Sequence, residues 1–207
     1  LLLLLLVKAY LCLVSTVHLA TSQAHVVRCV LWQPTLVLGR DLLRTVVARI
    51  LIFITDMQNL AFGCGVGRHS LLLDQYGFQV TALDGSQNAL DSINNKNTKI
   101  KTVKANHIDI PFEDNTFDAV LTFQSIHHGD KTSIKQAVNE VHRILKPNGT
   151  FFGTILSKKH EEFGKGKIVD SNTYIRDNGL DVGHPHTYVN AKDLVKLLNK
   201  FEVSYMK

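Results

Sequence analysis

Cysteine is scarce, and what there is lies scattered. The 207 residues hold three, Cys12, Cys29 and Cys64, with no C-x-x-C pair among them. That excludes a disulfide framework and gives no zinc-type spacing, so a reducing compartment is expected. Long runs of lysine or arginine are missing too. The net charge of +5 is spread along the chain, which describes a mildly basic surface and not the basic stripe that a nucleic-acid partner requires. Internal repeats are absent, as is any low-complexity stretch beyond the opening leucines. What remains is 45% hydrophobic and 20% charged, the composition of one ordinary globular domain with room for appendages.

The first 40 residues carry the weakest pattern. Leu1–Ala20 is apolar apart from Lys8, His18 and a few hydroxyls, and it opens on leucine with no methionine. Three readings fit: a non-native or poorly ordered extension, a targeting segment or anchor with a small-residue exit near Ser22-Gln23-Ala24, or a core helix. No basic n-region precedes the run and Lys8 interrupts it, so residues 1–40 are set apart as an apolar extension. The expected compartment is cytoplasmic; membrane association through residues 1–20 is the alternative. In Arg40–Thr55, Leu42, Leu43, Val46, Val47, Ile50 and Leu51 fall at helical spacing. Residues 41–207 are the expected domain.

From Asn59 onward strands and helices alternate, which argues α/β with a mainly parallel sheet. A short strand runs into Gly63-Cys64-Gly65-Val66-Gly67, and a helix over about Arg68–Tyr76 stops at Gly77. Phe78–Leu83 reads as the second strand, followed by a helix capped by Ser86 and reaching about Asn95. Ile100–Ala105, Phe117–Phe123 and Thr150–Leu156 read as the third, fourth and fifth strands. Between the last two, Ile134, Ala137, Val138, Val141, Ile144 and Leu145 form one helical stripe, stopped by Lys146-Pro147-Asn148-Gly149. Residues 157–189 are polar, glycine-bearing and without a period, and read as an insert or lid. Asn190 and Asp193 make a capping box for the next helix, and Phe201–Tyr205 is a sixth strand.

Glycine takes positive φ and lets a ligand approach the backbone, and a strand–glycine turn–helix unit makes a nucleotide-type cradle. The dinucleotide fingerprint is G-x-G-x-x-G. Here the third glycine comes one position early and no Tyr-x-x-x-Lys accompanies it, which disfavours a nicotinamide-dependent dehydrogenase. In doubly wound sheets ligands bind beyond the carboxyl ends of the strands. Asp84 and Asp109 fall at two such ends. Behind a glycine loop, Asp84 reads as an acceptor for ribose hydroxyls more than as the mere start of the turn before Ser86.

The loop Gly63-Cys64-Gly65-Val66-Gly67 resembles the first motif of class I S-adenosylmethionine (SAM) methyltransferases. Val80-Thr81-Ala82-Leu83-Asp84-Gly85-Ser86 resembles their second. Asp109-Ile110-Pro111-Phe112 with Asn115-Thr116-Phe117-Asp118-Ala119-Val120 resembles the next block, and Arg143-Ile144-Leu145-Lys146-Pro147-Asn148-Gly149 a structural helix–turn–strand element. These run in order from about Leu60 to Phe152. Gly67-Arg68-His69-Ser70 is similar to the small-molecule subset that includes the tellurite-resistance type. The late segments around Gly164-Lys165-Gly166, Asn172–Ile175 and His184–Tyr188 are similar to an insert in that broad group.

The resemblance implies a Rossmann-like doubly wound sheet, SAM as cofactor and a small-molecule methyl acceptor, with no nucleic-acid partner. Cofactor contacts would come from Gly63, Cys64, Gly65, Gly67, Asp84, Gly85, Ile108, Asp109 and Gln124. Asp109 would accept from the adenine amino group and Ile108 would pack on the ring, while Asp118 would support the fold. Methyl transfer from a sulfonium needs alignment above all, and a base only if the acceptor loses a proton. His127, His128 and Tyr188 are the catalytic candidates, and His186 with Tyr188 would close over the pocket as a lid. No metal is expected, since His184-Pro185-His186 is poor ligand spacing without a carboxylate. Cys64 reads as a packed small residue. Two features depart from the family: Ala61 stands where it has an acid, and its last, antiparallel strand is missing here, which leaves an open sheet edge or an incomplete sequence. A non-catalytic or decayed binding module is the alternative function.

Overall fold

The computed structural model describes residues 25–32, 57–96, 99–177 and 181–206. The apolar Leu1–Ala20 run and the Arg40–Thr55 helix fall outside the described residues. Among the described residues, ten strands and four helices follow in the order β1 (His25–Trp32), β2 (Gln58–Phe62), α1 (Arg68–Gln75), β3 (Gln79–Asp84), α2 (Gln87–Asn94), β4 (Lys101–Lys104), β5 (Phe117–Thr122), α3 (Lys131–Ile144), β6 (Leu145–Ser157), β7 (Lys167–Asp170), β8 (Thr173–Ile175), β9 (Pro185–Val189), α4 (Ala191–Leu197) and β10 (Phe201–Met206).

Five strands in the order β4-β3-β2-β5-β6, all parallel, form the centre of the sheet. Parallel strands need crossovers, and the helices supply them on both faces. One core packs the stripe Ile134, Ala137, Val138, Val141 and Ile144 of α3 against Leu60, Val120 and Phe151. The other joins Leu73 of α1 and Ile93 of α2 to Ala61, Val80 and Ala82. This is the Rossmann-like doubly wound architecture implied by the sequence. The strand order reverses between β2 and β5, so the loops after these two strands face a common crevice.

The helix boundaries follow their caps. Ser86 accepts from the Ala89 N–H at the start of α2, and Asp130 accepts from Ser133 at the start of α3. Asn190 and Asp193 exchange side-chain and backbone bonds in a full capping box on α4. Strand β6 begins directly at Leu145, where α3 ends. Its pairing with β5 then skips from Phe117↔Leu145 to Ala119↔Thr150, and the intervening turn holds Asn148 at φ 63°. Asp118 supports this corner: its Oδ2 accepts from the Gln58 N–H and from Lys146 Nζ, each at 2.9 Å.

Residues 25–32, placed by sequence in the N-terminal extension, join the sheet. Strand β1 lies between β6 and β10 and runs parallel to both, from Val26↔Thr150 to Trp32↔Leu156 on one side and from His25↔Phe201 on the other. The edge of β6 is therefore paired and not open. No antiparallel strand occupies this place among the described residues. The described part of 157–189 holds more regular structure than its composition suggests: β7, β8 and β9 form an antiparallel meander, docked on β6 through Leu156↔Tyr188 and Ser157↔Val189. Among the described residues, no helix is long and apolar enough to cross a membrane.

Arg143 ties the segment after β4 to α3. Its Nη1 donates to the Phe112 carbonyl (2.7 Å) and Asp114 (2.9 Å), its Nη2 to the Ile110 carbonyl (3.0 Å) and Glu140 (2.8 Å), and its Nε to Glu140 (2.9 Å). Glu140 in turn accepts from the Ile110 N–H at 3.1 Å. The Arg143 hydrogen bond, then that of Ile110, holds the Glu140 carboxyl below its ordinary range against the opposing effect of burial. The network fixes the position of neighbouring Asp109. Arg143→Ala should cost roughly 1–3 kcal/mol in a denaturant titration. A depressed folded pKa stabilises above the ordinary carboxylate value, about 4.3, and that stability is lost as pH falls through the folded value. The acid limb of the stability curve should therefore flatten in Arg143→Ala relative to the parent; an unchanged limb would remove Glu140 from this account.

Candidate functional site

The glycine loop leaves β2 and returns into α1 with all three glycines left-handed: φ is 63° at Gly63, 52° at Gly65 and 82° at Gly67. Each has its own reason to lack a side chain. A Cβ on Gly63 would lie 1.6 Å from Ser125 Oγ, and one on Gly67 would lie 2.4 Å from the Ile93 side chain. At Gly65 a Cβ would meet nothing within 4 Å, so this face of the loop is open to a ligand. The loop is held from the neighbouring strand. Asp84 Oδ2 accepts from the Gly65 N–H at 2.8 Å, Oδ1 accepts from the Ser86 N–H at 2.9 Å, and the Cys64 N–H donates to the Leu83 carbonyl at 3.0 Å. A carboxylate oxygen has about two lone-pair sites, so both oxygens keep capacity for a ligand hydroxyl.

Beside the loop is a cavity of about 280 Å³, lined by Ala61, residues 62–66, Arg68, His69, Leu121, Phe123 and Gln124. Gln124 stands at φ 53°, and its N–H donates to Thr154 Oγ1 at 2.8 Å. A non-glycine residue there is uncommon and held by its surroundings. Arg68 lies over the Phe123 ring, 5.5 Å from its centroid. Ala61 is 3% exposed, a methyl on the cavity floor where the resemblance implies a carboxylate. Cys64 is half-buried; burial first, and the charge of Asp84 second, push its thiol up to about 12. It is a protonated packing group at neutral pH.

The other sequence candidates divide. Gly85, Ile108 and Asp109 are exposed at the ends of β3 and β4, outside the cavity lining. The backbone N–H groups of Ile108 and Asp109 are anchored on Asn106. His127 and His128 follow Gln124 and Ser125 on the loop after β5. His127 is 6% exposed and His128 half-buried. Burial, then the neighbouring His128, lowers the pKa of His127 well below its ordinary value; burial likewise lowers that of His128. His186 meets them, its ring centroid 5.7 Å from that of His127 and 4.7 Å from that of His128. Tyr188 is not the exposed cover expected of a lid. It is fully buried in β9, packed against Phe163 and Tyr174, and its hydroxyl accepts from Arg176 at 3.2 Å. Ser125, which rests on Gly63, had no sequence signature. Arg68 and His69 were visible only as the continuation of the glycine motif.

These elements define a class: a doubly wound α/β domain with a nucleotide-type cradle at its switch point. Residues 60–153 match the protein family described as a methyltransferase domain, and together with the fold this match supports a class I SAM-dependent methyltransferase domain in that segment. It is 35% identical over 141 residues to an uncharacterized protein of Methanocaldococcus jannaschii, covering 66% of this chain and 58% of that one. It is 32% identical over 121 residues to a malonyl-[acyl-carrier protein] O-methyltransferase of Buchnera aphidicola, covering 58% and 48%. The chain thus spans about half the length of these relatives. Among solved structures it resembles a Pyrococcus horikoshii protein with a TM-score of 0.62 and 25% identity, over 76% of this chain and 79% of that one. A SAM-dependent methyltransferase of Methanosarcina mazei shares the fold with a TM-score of 0.62 at 19% identity, over 70% and 78%.

Gly63→Ala should drive the Ser125 loop off the glycine loop and lower affinity for SAM or its demethylated product at least tenfold by calorimetry. Removing the obstacle in Gly63→Ala/Ser125→Gly should restore part of it, leaving the cost of about 1–2 kcal/mol for alanine at positive φ. No rescue by the second change would mean that this contact does not position the loop.

Proposed function

We propose that the chain transfers a methyl group from SAM directly to a small-molecule acceptor in one in-line step. The observation that carries this is the switch-point cradle, in which Asp84 holds the open Gly65 turn with each oxygen accepting a single N–H bond. SAM supplies an activated methyl on a sulfonium leaving group; the protein's part is to bind and align. In this reading the free lone pairs of Asp84 take the ribose hydroxyls. Exposed Ile108 packs on the adenine and Asp109 accepts from its amino group. Gly63, Cys64, Gly65 and Gln124 of the cavity lining, with Gly67 and Gly85 outside it, contribute the remaining contacts, and Arg68 in the cavity wall pairs with the cofactor carboxylate.

The acceptor approaches from the loop after β5, where His127 and His128 stand beside the cavity-lining Gln124. A small-molecule acceptor is supported by the scattered basic charge and by the meander β7–β9, whose His186 closes on this loop. The free thiol of Cys64 agrees with a reducing, cytoplasmic setting.

One observation favours the second reading, a decayed or non-catalytic binding module: the missing acid at Ala61. A charged hydrogen bond of that kind is worth roughly 1.5–3 kcal/mol, or about one to two decades of affinity. Calorimetry on the intact chain separates the two. The proposal expects micromolar binding of SAM or its demethylated product, abolished by Asp84→Ala and tightened about ten- to a hundredfold by Ala61→Asp. No binding by the folded parent would overturn it, and an affinity left low and unchanged by Ala61→Asp would favour the decayed module.

A further inference from the structure

His127, His128 and His186 come from two distant parts of the sequence. The first two sit on the loop after β5, and the third opens β9 of the meander. The backbone joins them: His128 and His186 form an isolated bridge, the Thr187 N–H donates to the His127 carbonyl at 3.0 Å, and the Gly129 N–H donates to the Pro185 carbonyl at 2.8 Å. The three rings therefore meet on a braced platform and not on loose loops.

Their ring nitrogens converge. Taking one nitrogen from each ring, all three lie within 4.8 Å of one another. Two of the rings are almost or wholly buried and carry a nitrogen without a hydrogen-bond partner: Nδ1 of His127 and Nε2 of His186. An orphaned buried polar atom is costly and calls for an explanation. The opposite edges of two rings are already fixed. His186 Nδ1 lies 2.9 Å from the His184 carbonyl, so it carries the proton there and leaves Nε2 as a lone pair. His128 is hydrogen-bonded to the Gln124 backbone. A ring oriented by a carbonyl on one nitrogen, with the other bare, is how ligating histidines are held.

The geometry points to a binding site for a late first-row divalent cation of the zinc type, ligated by His127, His128 and His186. Imidazole suits this class of metal, and bonds of about 2.0–2.1 Å in a tetrahedron set the nitrogens about 3.3 Å apart. Shifts of about 1 Å per ring reach that arrangement from the present one. Asp181 lies at the rim, its Oδ2 3.8 Å from His186 Nε2, and offsets the positive Arg176, whose guanidinium is engaged by the Tyr188 hydroxyl. Three imidazoles leave a coordination position open for water or a substrate atom, unlike a closed structural site. This inference does not depend on the bound cofactor. A ring that ligates a cation has no lone pair left for base work, so it also reassigns His127 and His128 from proton acceptors to ligands.

The test uses the full chain with any affinity tag removed, stripped by a chelator and titrated with Co2+ alone. The expected result is a visible d–d absorption of a low-coordinate cobalt site saturating at one ion per chain, displaced by Zn2+. His186→Asn and His128→Gln should each weaken binding at least tenfold, with folding checked by circular dichroism. The half-buried His128 carries the test if His186→Asn does not fold. A folded parent that gives no such band, or a band unchanged in the folded variants, overturns the site. Calorimetry with SAM on the same stripped sample keeps the questions apart: SAM binding without a cobalt band overturns the metal alone.

Discussion

The hydrogen bond from the Gly65 N–H to Asp84 joins the end of β3 to the turn after β2. With the Cys64 N–H bond to the Leu83 carbonyl, it ties the turn to the neighbouring strand at two points. Gly65 lacks a side chain on the open face, and Gly63 and Gly67 lack them on faces pressed by Ser125 and Ile93. The loop is thus shaped from outside, by its neighbours. A carboxylate that holds the loop through Oδ2 and the Ser86 turn through Oδ1 still has lone pairs left for a ligand hydroxyl, so one side chain can serve structure and binding together. This bears directly on Ala61. The cavity lining has a methyl at Ala61 where the resemblance implies an acid, yet the loop has a charged anchor from the next strand.

Strand order turns this local arrangement into a site. Because β2 and β5 are neighbours across the reversal, the turn after one and the loop after the other lie face to face. Ser125 resting on Gly63 is the physical contact between them. The same loop reaches on to His127 and His128, so the cradle and the histidine cluster are successive parts of one segment. The meander β7–β9 then brings His186 to that segment. The Arg143 network fixes the third side by tying Ile110 and Phe112 to α3, next to Asp109.

The parts governed by short-range chemistry were legible in the sequence. The α3 stripe, the Ser86 and Asn190 caps and the glycine turn are set by residues within a few positions of each other, and the strand end carrying Asp84 follows from them, whereas Asp109 lies past the end of β4 at Lys104. Three features depend on distant partners and were not readable. His25–Trp32 is an apolar run like many others until β6 and β10 accept it on both edges. Residues 157–189 have little period because β8 is three residues long and β9 five. The convergence of His186 with His127 depends on register across some sixty positions; within its own segment, His184-Pro185-His186 argues against ligation. Tyr188, a candidate for the site and its lid by sequence, belongs with these: its ring is buried in the core of the meander against Phe163 and Tyr174.

The central claim is that this cradle holds a SAM-type cofactor with the acid absent at position 61. Native mass spectrometry of the purified intact chain tests it most directly. The account predicts a folded species carrying one SAM or one demethylated product, either retained through purification or formed on addition at micromolar concentration. A folded chain that stays at its bare mass under those conditions would contradict it.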